Sequence, residues 1–126
     1  TESFEFGQHR GLDLIPGRVV RFRDAEPGGP GFKVPQIGWN RLEAPSGAEG
    51  WQETLLDGIT ERDSFYFVHS YLCVPEDPAA SVALTGYGRD RFCSVARRDN
   101  VWGCQFHPEK SGDAGLRIYR NFVRRA

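Results

Sequence analysis

The sequence has few of the features that would assign it to several large classes of protein. Its formal net charge is −1, which leaves no basic surface for a nucleic acid or an anionic membrane. No apolar run approaches the ~20 residues that a membrane-spanning helix needs, and the opening TESFEFGQHR lacks the basic and apolar regions of a signal peptide. We therefore expect a cytoplasmic protein with no nucleic-acid or membrane partner. Methionine is absent even at the start, which predicts a piece of a longer protein.

The side chains that could bind a metal show no spacing typical of a metal site or of a disulfide framework. They are three cysteines and three histidines, namely Cys73, Cys93, Cys104, His9, His69 and His107. The cysteines are odd in number, lie in apolar stretches and form no C-x-x-C pair. The histidines share no ligand spacing with them. We expect free, buried thiols, no metal and no cofactor.

The composition is that of one folded domain. Hydrophobic residues make up 39% of the 126 residues and aromatic residues 13%, which argues against disorder. A chain of this length can bury one core and has little room for a second. We interpret residues 1–126 as part of a single domain.

Extended patterns dominate the chain. GRVVRFR (17–23) and QIGWNRLE (36–43) alternate as strands, and WQETLLDGI (51–59) predicts a short helical turn with an apolar side. SFYFVHSYLCV (64–74) is almost continuously apolar or aromatic, which predicts one strand buried on both faces. Three further runs, SVALTGYG, RFCSVAR and VWGCQF, are separated by turn residues and predict an antiparallel meander.

The last residues predict a helix from Gly112 to Arg125. Its apolar residues fall at helical spacing, Asp113 is a candidate cap, and arginines occupy the last turn. The apolar residues are Leu116, Tyr119, Phe122 and Val123. One helix against so many strands is too few for an independent α/β domain, so we expect an element that covers the other sheet face to be missing.

The segment QFHPEKS (105–111) carries the clearest chemical signal. Pro108 holds His107 in an extended conformation, and residues i and i+2 of an extended chain project to one face roughly 6.6 Å apart. The Glu109 carboxylate can then hydrogen-bond the His107 ring. An imidazole oriented by a carboxylate is the base half of a catalytic triad and can take a proton from a thiol or hydroxyl. The alternative is a surface pair at a strand-to-helix turn.

QFHPEKS resembles the motif that completes the Cys-His-Glu triad of class I glutamine amidotransferases. GLDLIPGRVVRF, VPQIGWN, YFVHSY and RIYRNF are similar to the histidine-biosynthesis branch of that family, the glutaminase subunit of imidazole glycerol phosphate synthase. This branch usually has histidine or methionine where Gln36 and Ile37 stand. The resemblance implies an α/β fold, the C-terminal portion of a flavodoxin-like domain, with a mixed sheet, an antiparallel meander and a C-terminal helix.

The resemblance also implies roles for individual residues. His107 and Glu109 would be catalytic, and Ser70 and Tyr71 would line the pocket for the substrate glutamine. The residues that would face a cyclase subunit and gate ammonia are Trp39, Asn40, Tyr66 and Lys110. Ammonia must be kept from bulk water there, because protonation removes its nucleophilicity. For Trp39, Tyr71 and His69, an ordinary core position is the alternative.

No cysteine of this sequence stands in the G-x-C-x-G turn that carries the family's nucleophile. Cys104 lies in a strand three residues before His107, so the two side chains would point to opposite faces. We expect the nucleophile to precede Thr1, the chain alone to be inactive, and its uncovered edges to cause self-association. The alternative functions are a glutaminase paralogue serving another aminating pathway and a truncated, non-catalytic binding module.

Overall fold

The structure of the chain is a computed structural model that describes residues 1–25, 27, 29, 31–48 and 50–125. These residues form nine strands, two 3-10 turns and one α-helix. The strands are β1 (Glu2–Ser3), β2 (His9–Arg10), β3 (Gly17–Arg21), β4 (Gln36–Arg41), β5 (Ser64–His69), β6 (Tyr71–Pro75), β7 (Ser81–Tyr87), β8 (Asp90–Arg98) and β9 (Val101–Cys104). The 3-10 turns span Pro78–Ala80 and Pro108–Lys110, and α1 spans Gly112–Arg125.

Seven strands form one mixed sheet. Its order is β2-β1-β3-β6-β8-β7, and β9 also pairs with β8. β1 and β3 run parallel, whereas the other pairs are antiparallel. The meander predicted from three short runs is present as β7, β8 and β9. The predicted α/β class, with a mixed sheet and a C-terminal helix, is thus confirmed.

The remaining two strands form a separate ribbon. β4 and β5 pair antiparallel from Gln36↔His69 to Arg41↔Ser64. The prediction of one strand over residues 64–74 is therefore wrong, because this run divides at Ser70. Its first half pairs with β4, and its second half enters the larger sheet between β3 and β8. The Ser70 carbonyl accepts the Phe22 N–H at 3.0 Å at this division.

The core lies between the ribbon, the larger sheet and α1. Phe65 and Phe67 point inward from alternate positions of β5 and are fully buried, as is Leu42. Residues 51–59 form turns rather than the predicted helical turn, but their apolar side chains are buried as expected. Trp51 fixes these turns by donating from Nε1 to the Val82 carbonyl at 3.0 Å.

Helix α1 has the predicted bounds but buries a different face. The stripe expected in the core, Leu116, Tyr119, Phe122 and Val123, is exposed, and Val123 is 74% exposed. The buried residues are Gly115, Ile118 and Asn121. The Asn121 amide donates to the carbonyls of Leu55 and Asp57, at 2.9 and 2.8 Å. A polar residue therefore holds the buried face of α1 against the 51–59 turns. Asp113 lies in the first turn and is not the cap.

In the part of the chain that the structure describes, no helix has the length and apolar character needed to span a membrane.

Candidate functional site

The QFHPEKS segment leaves the end of β9 and turns toward the ribbon. Phe106 is buried and packs on Phe65, with ring centroids 4.5 Å apart. The backbone N–H of His107 donates to the Tyr66 carbonyl at 2.9 Å, which ties the segment to β5. Pro108 then opens the 3-10 turn that carries Glu109. Local packing therefore sets the direction of both candidate catalytic side chains.

The His107 ring and the Glu109 carboxylate are hydrogen-bonded as predicted, but the extended chain assumed for that prediction ends at His107, because Glu109 lies in the 3-10 turn Pro108–Lys110. Nδ1 lies 2.7 Å from Oε1, and the two side chains are 38% and 50% exposed. The pKa of the Glu109 carboxyl is lowered, first by a hydrogen bond from its own backbone N–H and then by the His107 ring. A carboxylate at Nδ1 selects the tautomer in which Nε2 is the basic atom. No described residue hydrogen-bonds Nε2, so this atom is available to a substrate or a nucleophile.

Ser111 fixes the backbone of the turn that carries His107 and Glu109. Its role was not predicted from the sequence. It is 3% exposed, and its hydroxyl donates to the His107 carbonyl at 2.6 Å. The same oxygen accepts the Tyr66 N–H at 3.0 Å. Ser111 closes a bridge between the base-bearing turn and β5. The position of Ser111 at the end of the QFHPEKS motif was the only sequence signal for this role. The role could not be predicted further, because its partner Tyr66 lies 45 residues away in sequence.

The two residues expected at the glutamine, Ser70 and Tyr71, lie at the division between β5 and β6. Both are partly buried. Ser70 is four positions beyond Tyr66, roughly 13 Å along an extended chain. No hydrogen bond joins Ser70 or Tyr71 to His107 or Glu109 within the described residues. The two groups therefore lie at separate places, one beside Tyr66 of β5 and the other beyond the end of β5.

His69 occupies a satisfied core position, which was the alternative reading for this residue. Its Nδ1 lies 2.7 Å from the Tyr71 carbonyl and its Nε2 lies 3.1 Å from Oε1 of Gln36, so a neutral ring can donate to one of these two oxygens. The ring packs among Phe22, Phe67 and Phe92. Burial lowers the pKa of His69 and so favours the neutral imidazole. His69 thereby spans the division of the strand run and holds the Tyr71 backbone in place.

Three of the four residues expected to face a partner meet on the outer face of the ribbon. Trp39 and Tyr66 are cross-strand neighbours with ring centroids 6.0 Å apart, and the Lys110 Nζ lies 6.0 Å above the Tyr66 ring. Trp39 is 60% exposed, so the core alternative for this residue is wrong. Asn40 points the other way, because its amide donates to the Gly86 carbonyl of β7 at 2.9 Å.

None of the three cysteines is hydrogen-bonded to His107. Burial, and then the neighbouring Cys93, raise the pKa of Cys104 to about 12, so this thiol is protonated at neutral pH. Cys93 is buried, but Cys73 is exposed, which corrects the expectation that all three are buried. No group of three His, Cys, Asp or Glu within the described ranges is placed to hold a metal ion.

Comparisons with known proteins show which family the chain resembles. The family model described as "Glutamine amidotransferase class-I" matches residues 31–126. The chain is 50% identical over 123 residues to the imidazole glycerol phosphate synthase subunit HisH of Syntrophotalea carbinolica, covering 97% of this chain and 57% of that protein. It is 45% identical to the HisH subunit of Legionella pneumophila, covering 98% and 58%, and 38% identical to that of Chlorobaculum tepidum, covering 98% and 56%. The chain spans somewhat over half the length of these relatives.

Proposed function

This chain belongs to the class I glutamine amidotransferase family, and from that membership we propose that it is part of the glutaminase subunit of an imidazole glycerol phosphate synthase. That subunit hydrolyses glutamine to glutamate and ammonia. The ammonia passes to a cyclase subunit, which makes imidazole glycerol phosphate and AICAR in histidine biosynthesis. A cytoplasmic location belongs to this same proposal.

The hydrogen bond between His107 and Glu109 carries the proposal. Glu109 holds the proton on Nδ1, so Nε2 takes the proton from the attacking thiol and later returns it to the departing ammonia. The carboxylate stabilises the imidazolium that forms between these steps. The nucleophile is a thiol that none of the three cysteines of this sequence supplies.

The residues on and next to the ribbon fit the other two tasks of such a subunit. Ser70 and Tyr71 bind the α-amino and carboxylate end of glutamine, with the Tyr71 backbone fixed by His69. Trp39, Tyr66 and Lys110 form the surface that meets the cyclase and seals the route of ammonia from water. Asn40 contributes to this surface by holding β4 against β7.

The alternative functions are less well supported. A paralogue in another aminating pathway would use the same chemistry with a different partner, but the relatives at 50%, 45% and 38% identity carry the name of the histidine-pathway subunit. A non-catalytic binding module would not require the Glu109 carboxylate 2.7 Å from His107 Nδ1, with Nε2 not hydrogen-bonded by any described residue.

The test is glutamate release by the full-length protein together with its cyclase subunit. We expect His107→Asn to lower the turnover of glutamine by ~10² to 10⁴, because proton transfer is lost. Glu109→Gln should lower it less, because Glu109 only orients and stabilises the base. His9→Asn is the matched control, since His9 is an exposed histidine on the edge strand β2. Full activity of His107→Asn would overturn the assignment.

We expect the 126-residue chain by itself to release no glutamate from glutamine. Loss of the nucleophile of a triad costs on the order of 10⁶ in rate, and a base alone forms no thioester. Turnover by the purified chain would contradict this expectation. We also expect the chain to self-associate through uncovered sheet edges and exposed apolar side chains, among them Phe122 and Val123. A monomer in light scattering at all concentrations would contradict that expectation.

A further inference from the structure

The three cysteines converge on one cavity of the larger sheet. Cys73 lies on β6, Cys93 on β8 and Cys104 at the end of β9. All three line a cavity of about 290 Å³, which also touches Val19. This convergence could not be predicted from the sequence, because the cysteines are 20 and 11 residues apart and share no motif.

Cys73 and Cys93 stand directly opposite each other on antiparallel strands. Opposite residues in such a pair have Cα atoms ~4.5 or ~5.5 Å apart, depending on their place in the hydrogen-bond ladder. Both separations fall within the ~4.4 to 6.8 Å that a disulfide spans. The register of this pair therefore places the two residues at a Cα separation compatible with an S–S bond.

Cys104 is placed less well than Cys73 to react with Cys93. It pairs with Val95, two positions beyond Cys93 on β8, so Cys93 and Cys104 are diagonal neighbours. Diagonal neighbours lie ~7 to 8 Å apart, which exceeds the reach of a disulfide. The cross-strand register therefore favours Cys73 over Cys104 as the partner of Cys93.

The two paired thiols also differ in access. Cys73 is exposed, whereas Cys93 is 6% exposed and donates its S–H to the Val95 carbonyl at 3.3 Å. A small oxidant meets Cys73 first, and Cys93, directly opposite on the neighbouring strand, can then react with the product. This order is set by the fold.

We propose that Cys73 and Cys93 are a modification site at which a low-molecular-weight disulfide, such as oxidised glutathione, produces a cross-strand disulfide. The Cys73 thiolate attacks one sulfur of the oxidant, forming a mixed disulfide and releasing one glutathione thiolate. The Cys93 thiolate then attacks the Cys73 sulfur and releases the second glutathione. The protein loses two electrons and two protons, and the oxidant gains both.

The pair is slow to react at neutral pH. Partial desolvation by neighbouring atoms raises the pKa of both thiols, so the thiolate that must attack is scarce there and becomes more abundant as the pH rises. Oxidation should accordingly be faster at mildly alkaline pH than at neutral pH. The Cys73–Cys93 bond would join the strand that begins at Tyr71 to the strand that leads, through β9, to His107. The proposal does not depend on the glutaminase function.

The experiment exposes the purified chain to oxidised glutathione and follows its intact mass, with peptide mapping of the product under non-reducing conditions. We expect the loss of the mass of two hydrogen atoms, a crosslinked peptide pair containing Cys73 and Cys93, and complete reversal by dithiothreitol. Mapping of the wild-type chain needs no variant and remains decisive if a variant fails to fold.

Single alanine variants supply the matched controls. Cys104→Ala should form the disulfide at the wild-type rate. Cys93→Ala should stop at a mixed disulfide on Cys73, and Cys73→Ala should resist oxidation. A disulfide that contains Cys104, a disulfide-linked dimer, or a wild-type product that stays as a mixed disulfide on Cys73 would overturn the proposal.

Discussion

Replacing Gly115 with alanine tests how closely α1 packs against the turn that carries Glu109. A Cβ at position 115 would lie 1.9 Å from the carbonyl oxygen of Pro108 and 2.8 Å from its carbonyl carbon. Because C···O contacts are comfortable only from ~3.3 Å, the helix and the turn would have to separate by roughly 1.4 Å. The atoms in the way belong to the backbone and cannot rotate aside.

Two effects of Gly115→Ala oppose each other. Alanine favours a helix over glycine by ~1 kcal/mol, whereas overpacking in a tight site costs ~1 to 3 kcal/mol and occasionally more. With a backbone clash this short, we take the upper end of that range. The net expectation is a loss of about 2 kcal/mol in the free energy of unfolding.

Urea denaturation followed by tryptophan fluorescence measures this loss. Gly103→Ala is the control, because a Cβ at Gly103 would meet no atom within 4 Å, and its free energy of unfolding should be nearly unchanged. In the full-length protein, Gly115→Ala should also lower glutamine turnover, since His107 lies on the displaced turn. An alanine variant as stable as the wild type would refute the packing argument.

Two further predictions follow from hydrogen bonds. Ser111→Ala should lower the free energy of unfolding by ~1 to 3 kcal/mol in urea, because the Tyr66 N–H loses its acceptor, whereas Ala at the exposed Ser46 should change little. His69 should make stability depend on pH. Its pKa is lowered in the folded state, so the unfolded chain binds the proton first and stability falls as the pH drops below 6.5. The free energy of unfolding of His69→Gln should fall less in this range, and equal slopes would show that His69 does not titrate on unfolding.

Much of the fold could be predicted because it depends on local patterns. Alternation located β3, β4 and the meander, and turn residues marked their ends. The helix bounds followed from its composition. The His107–Glu109 hydrogen bond was predicted from two residues flanking a proline, although Pro108 begins a 3-10 turn and does not continue an extended chain.

The parts that could not be predicted depend on distant partners. A continuous apolar run does not reveal that its halves pair with different strands, as β5 and β6 do. The buried face of α1 includes Asn121, whose burial becomes favourable only when the carbonyls of Leu55 and Asp57 meet its amide. The role of Ser111 likewise requires Tyr66. Each case needed the tertiary contact before the local preference could be judged.

The bonds between Tyr66 and the His107 turn have a consequence for how the ribbon behaves toward other chains. β4 pairs with one edge of β5, and the other edge would expose N–H and C=O groups that a strand of another chain could bind. At Tyr66 those groups are already used, because the N–H binds the Ser111 hydroxyl and the carbonyl accepts the His107 N–H. The turn that carries His107 therefore also covers the free edge of β5 at Tyr66. Variants that break its hydrogen bonds to Tyr66 should aggregate by the addition of a strand from another chain at this edge.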